Sequence, residues 1–135
     1  MATYTKFNSF TEALAEKVHN LGSDTLKVAL TNSAPSASDT QLSNITEISY
    51  TKCSSRTLTV SSSAQTSGTY KLVVSDLVLT ASGTVGPFRY IVIYNDTATN
   101  KELIGYYDYG SALTLSNTDT LTLDFDGTNG LLQLV

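Results

Sequence analysis

The chain has 135 residues, enough for one domain around one core, and its 41% hydrophobic content excludes a disordered polymer. Only 15% of the residues are charged, the net charge is −4, and the eight Lys and Arg are scattered singly, which excludes the basic footprint of a nucleic-acid-binding protein. No run approaches the roughly 18 consecutive apolar residues of a membrane helix, so neither nucleic acid nor membrane is expected as a partner.

With so little charge, 21 Thr and 17 Ser must keep the surface wet. Thr suits the exposed face of a strand, where its branched Cβ fits the pleat and its hydroxyl meets water. The start, "MATYTKFNSF", lacks the charged and apolar regions of a signal peptide. Cys53 is the one cysteine and has no internal disulfide partner, which fits a reducing compartment such as a cytoplasm. Residues 1 to 6 read as a short arm whose Tyr4, with the adjoining Phe7, is available for docking.

Phe7, Phe10, Leu14, Val18 and Leu21 recur at steps of three and four, and Ser9 with Glu12 has capping-box spacing. The pattern predicts a helix over residues 8 to 20 that ends at Gly22. The period then changes to two. "TLKVALT", residues 25 to 31, predicts a half-buried strand with Leu26, Val28 and Leu30 inward. Residues 32 to 55 form a long polar stretch, anchored only by Leu42, Ile45, Ile48 and Tyr50, of a length that suggests an interaction loop.

Alternation resumes at Leu58 and Val60, then at Tyr70, Leu72 and Val74, and its phase changes near Ser75 and Asp76, where a bulge or bend is expected. "RYIVIY", residues 89 to 94, is apolar on both faces and reads as a central strand. "NDTATN" supplies the turn to a partner strand, "KELIGYYDY". "ALTLS", "TLTLDF" and "GLLQLV" follow, the last two joined by "DGTNG". About seven short strands after one helix predict a mainly β chain, an antiparallel β-sandwich or barrel forming a single domain over residues 1 to 135.

Few residues carry chemistry. His19, the sole histidine, is placed near a helix end, where a cap or surface role is expected. Cys53 has no sequence-near activating partner and reads as a free, weakly reactive thiol. Asp124, Asp126 and Asn129 in "DFDGTNG" could offer oxygens to Ca²⁺, but the distal Glu of a calcium loop is missing and an Asp-Gly turn explains the same residues. Asp124 and Asp126 are also close enough to pose as a glycosidase pair, but the sequence shows neither the cleft nor the raised pKa that such a pair needs. Glu12 and Glu16 read as a solvated helix face, and the sequons at Asn44 and Asn95 as chance in a Thr-rich chain. No catalytic residue, metal or cofactor is expected, and the chain does not read as an enzyme.

Tyr106, Tyr107 and Tyr109 remain. Strand alternation places Tyr107 and Tyr109 on one face and Tyr106 on the other. They could be core, a carbohydrate platform or a protein interface, and the absence of Trp weakens the sugar case.

The stretches "FTEALAEKVHNLGSDTLKVALTNSAPSASDT", "TSGTYKLVVSDLVLTASGTVGPFRYIVIYNDT" and "LIGYYDYGSALTLSNTDTLTLDFDGTNG" resemble a group of small virion proteins of tailed bacteriophages, over residues 4 to 135. Within that group the chain looks most like the capsid decoration, or cement, proteins. The resemblance implies a structural protein without catalytic residues, made in the bacterial host cytoplasm and carried on the virion capsid surface. Its implied partner is the major capsid protein, bound between capsomers by a homotrimer, with Tyr4, Phe7, Tyr106, Tyr107 and Tyr109 as candidate interface residues. A tail-associated carbohydrate- or receptor-binding module is the other reading.

Overall fold

The computed structural model describes residues 2–135. Among these it forms nine strands, β1 (Tyr4–Lys6), β2 (Leu26–Thr31), β3 (Val60–Thr66), β4 (Thr69–Val74), β5 (Leu77–Thr80), β6 (Val85–Asn95), β7 (Leu103–Leu115), β8 (Thr120–Leu123) and β9 (Leu132–Leu134), and one α-helix, α1 (Ser9–Ala15). They pair antiparallel in three sheets, of order β1-β7-β6-β2, β3-β4-β9 and β5-β8. The protein is therefore mainly β, with antiparallel sheets, a short helix near the N-terminus and no closed barrel.

The apolar run of β6 explains its central place, between β7 and β2. Ile91 and Ile93 face the main core, together with Val28 and Leu30 of β2, Leu72 and Val74 of β4, and Leu79 of β5. Val92 and Tyr94 point the other way, into a second cluster with Phe7, Ala29, Ile45 and Leu103. The four-stranded sheet thus packs its inner face on the two smaller sheets and has part of its outer face covered as well. For this reason β2 is not half-buried as its alternation predicts. Ala29 and Thr31, on the side expected to meet water, are both fully buried.

The cover is the stretch expected to be an interaction loop. Leu42 and Ile45 pack on the second cluster. The Leu42 amide donates to the Lys101 carbonyl at 3.0 Å, the Leu103 amide to Thr40 at 3.1 Å and the Asn8 amide to Ala37 at 2.9 Å. Further on, the Ile48 amide donates to the Leu30 carbonyl, and the Tyr50 hydroxyl accepts from the Leu30 amide at 2.9 Å while donating to Glu47. The Arg56 guanidinium lies 3.6 Å from the Tyr50 ring centroid and donates to the Val28 carbonyl. The bonds to Leu30 and Val28 occupy the open edge of β2, which would otherwise invite another strand. The loop's first role is structural.

Helix α1 is shorter than its periodicity predicts. It stops at Ala15, and Lys17 takes φ 68°. The Val18 amide donates to Ala13 and the Lys17 amide to Leu14, the paired bonds of a Schellman motif with lysine where glycine is usual. Val18 and Leu21 keep the helical spacing by coincidence, and Leu21 is buried from a turn. The capping box is absent too. Ser9 is the first helical residue after Asn8, no side chain caps the start, and the Thr11 hydroxyl donates to the Asn8 carbonyl instead.

The phase change at Ser75 and Asp76 is a true break that separates β4 from β5, and an Asp76 carboxylate oxygen accepts the Phe125 amide at 2.9 Å. "KELIGYYDY" and "ALTLS" are one long strand, β7. The N-terminal segment is not a free arm. Tyr4 pairs with Tyr107, Thr5 with Tyr106 and Lys6 with Gly105, so β1 is an edge strand of the largest sheet and Phe7 is fully buried.

Candidate functional site

Five residues were expected at an interface, and the fold gives them different surroundings. Phe7 lies in the second cluster, 5.3 Å from the Tyr106 ring. Tyr4 lies over Gly105, its ring 5.5 Å from Tyr107. Tyr107 also packs on Phe125 at 6.2 Å, and burial pushes its hydroxyl pKa up to about 12. Phe7 is fully buried, Tyr4, Tyr106 and Tyr107 are half-buried by packing within this chain, and Tyr109 is 49% exposed.

Tyr109 does not share a face with Tyr107. The β6–β7 ladder runs regularly from Ile93↔Gly105 to Tyr90↔Asp108 and resumes at Phe88↔Leu113, so Arg89 alone stands opposite Tyr109, Gly110, Ser111 and Ala112. This is a bulge, and it re-aims the side chains it carries. Gly110 takes φ 98°, a value glycine adopts without a Cβ penalty. Asp108 anchors the base of the bulge. Its carboxylate accepts the Gly110 amide at 2.8 Å and both arms of the Arg89 fork, at 2.8 and 3.1 Å. Those bonds hold the Asp108 carboxyl below its ordinary pKa.

The redirected Tyr109 helps to line a groove of about 820 Å³ on the outer face of the four-stranded sheet. Tyr90, Tyr106 and Asp108 share its wall with Thr5 of β1, Thr3 just before it, and Ala34 from the covering loop. The Tyr90 and Tyr106 rings meet nearly edge to face, 6.4 Å apart at 69°.

No family model, curated protein or solved structure matches the chain. The residues themselves must therefore carry the functional reading. Among the described residues no group of three or more His, Cys, Asp or Glu could hold a metal ion, and no helix is long and apolar enough to cross a membrane. Asp126 forms a turn. Its carboxylate accepts the Thr128 and Asn129 amides and the Asn129 side chain, which lowers its pKa. Burial raises the Cys53 thiol pKa more than nearby Arg56 lowers it, so its thiolate is scarce.

His19 is the main correction among the chemical candidates. Instead of capping a helix at the surface it is 5% exposed, 5.4 Å from the Phe10 ring. Its Nδ1 accepts from Asn95 Nδ2 at 2.9 Å, an acceptor role that belongs to the neutral ring with its proton on Nε2. Asn95 is fully buried. It donates also to Asp24 at 2.7 Å, and its carbonyl oxygen accepts the Thr97 and Ala98 amides. The Asn95 sequon is thus closed to modification in the folded chain. Sequence reasoning missed this hub because an Asn opening a turn looks the same whether buried or exposed.

Burial lowers the His19 pKa from 6.5 despite the opposing pull of Glu102 and Asp24. The unfolded chain therefore takes up the proton first as pH falls. His19 contributes stability that is fully present above about pH 6.5 and shrinks as pH drops from there towards the lower, folded value. Melting temperature should decline across that window in the native protein and hold steadier in His19→Gln, and equal slopes for the two would rule out this assignment.

Proposed function

We propose that this chain is a structural virion protein that binds the outside of a tailed-bacteriophage capsid as a homotrimer and ties neighbouring capsomers together. The sequence resemblance over residues 4 to 135 supports this reading. The observation that gives it a contact surface is the outer face of the β5–β8 ribbon. Leu77, Leu79, Leu121 and Leu123 turn inward to the core, which leaves Val78, Thr80, Thr120 and Thr122 outward, and Val78 is 49% exposed. In the register, Val78 faces Thr122 and Thr80 faces Thr120, an uncharged patch of methyl and hydroxyl groups. Such a surface loses little on leaving water, and many weak copies add up to firm attachment.

Purified particles should contain the chain in hundreds of copies, and the free protein should have the mass of a trimer. Val78→Asp should keep its fold while binding to undecorated capsids falls about tenfold or more, because a charge would be desolvated at the contact. Unchanged binding would move the contact elsewhere. A handful of copies per particle would instead favour the tail-associated receptor-binding reading, which the tyrosine groove supports.

A further inference from the structure

We propose that the groove formed by Tyr90, Tyr106, Tyr109, Thr3, Thr5 and Asp108 is a binding site for a short neutral saccharide. It belongs to the outer face of the four-stranded sheet, opposite the β5–β8 ribbon, so a particle bound through that ribbon would present the groove outward. The site does not depend on the capsid reading. Its volume of about 820 Å³ falls within the roughly 300–1,000 Å³ usual for small-molecule sites.

The lining selects the ligand class. Three tyrosine rings offer apolar faces on which the C–H surfaces of a sugar ring can rest, while the Tyr and Thr hydroxyls both donate and accept hydrogen bonds. The Tyr50 and Tyr70 hydroxyls are already engaged by Glu47 and Ser63. Among the described residues none of the three groove tyrosines gives its hydroxyl to a protein partner, so these groups are free for a ligand. No Lys or His lines the groove, and the one guanidinium beside it, that of Arg89, 5.4 Å from the Tyr90 ring centroid, is already paired with Asp108. That leaves little to hold a phosphate or a free cation. A neutral polyol meets the remaining requirement, hydroxyls against hydroxyls and a fixed carboxylate acceptor.

The site is also built in advance. Tyr106 is braced by Phe7 at 5.3 Å, Tyr90 stands against Tyr106, and Tyr109 is placed by a bulge fastened through Asp108. Preorganised rings lose little freedom when a ligand arrives.

The test is amide-resolved NMR on the full chain, titrated with maltotriose, cellotriose and lactotriose, and with sialyllactose and inorganic phosphate as charged probes. A saturable shift of the Thr5, Tyr106, Tyr109 and Gly110 amides with at least one neutral sugar is expected. Tyr109→Ala, whose exposed ring does not support the core, should weaken that sugar about tenfold with its melting temperature unchanged. Val78→Asp should leave the affinity as it is, which separates this site from the capsid contact. The proposal is overturned if no neutral sugar saturates the shifts, if only the charged probes do, or if binding survives Tyr109→Ala.

Discussion

Replacing Asn95 with alanine is expected to destabilise the protein by about 4 kcal/mol, a large share of the 5–15 kcal/mol typical of a domain. Asn95 makes four hydrogen bonds from a site with no solvent access, to His19, Asp24, Thr97 and Ala98. Alanine would leave His19 Nδ1 and the Ala98 amide buried without partners, and an unmet buried group costs more than a surface bond gains. Asn95→Asp should fare no better despite its equal size, because it loses both donors and sets a carboxylate against Asp24. Urea denaturation measures both variants. A loss below about 1 kcal/mol for Asn95→Ala would mean that water replaces the whole hub.

Deleting residues 1–6 is expected to cost about 3 kcal/mol, comparable to removing one large buried side chain. The deletion strips β1 from β7 and takes the Tyr4 ring off Gly105 and Tyr107, and it leaves the edge of the largest sheet open to aggregation. A melting temperature within a degree or two of the full chain would mean that β1 contributes little. Tyr4→Phe sharpens the test. Among the described residues the Tyr4 hydroxyl is buried without a partner, and burial raises its pKa, so removing it should leave stability equal or higher while the ring stays in place. Gly105→Val should resemble the deletion, since a Cβ at that position would collide with the Tyr4 ring.

The candidate site was only partly legible in the sequence. The cluster Tyr106, Tyr107 and Tyr109 stood out as a place to look, and two of its members do line the groove. Tyr90 was legible only as part of a central strand, and Thr3 and Thr5 as part of an arm. Nothing in sequence spacing brings residues 3 and 5 beside residues 90 and 106, because that meeting is made by strand pairing across about a hundred positions.

Period and turn chemistry are local, and these the sequence determined by itself. They include the β-rich class, the doubly covered strand from Arg89 to Tyr94, the break at Ser75 and Asp76, and the turn at Asp126. They act through backbone geometry within a few residues, so a short window carries them. Only the tertiary structure decided that β1 joins the sheet, that the loop after Asn32 covers β2 and β6, that His19 is buried, and that Tyr109 turns to the side of Tyr106. Each depends on what a distant segment covers or leaves open. Helix α1 marks the boundary between the two. Apolar spacing of three and four runs on to Leu21, but that spacing records only which side chains need burial, and the core accepts Leu21 from a turn as readily as from a helix.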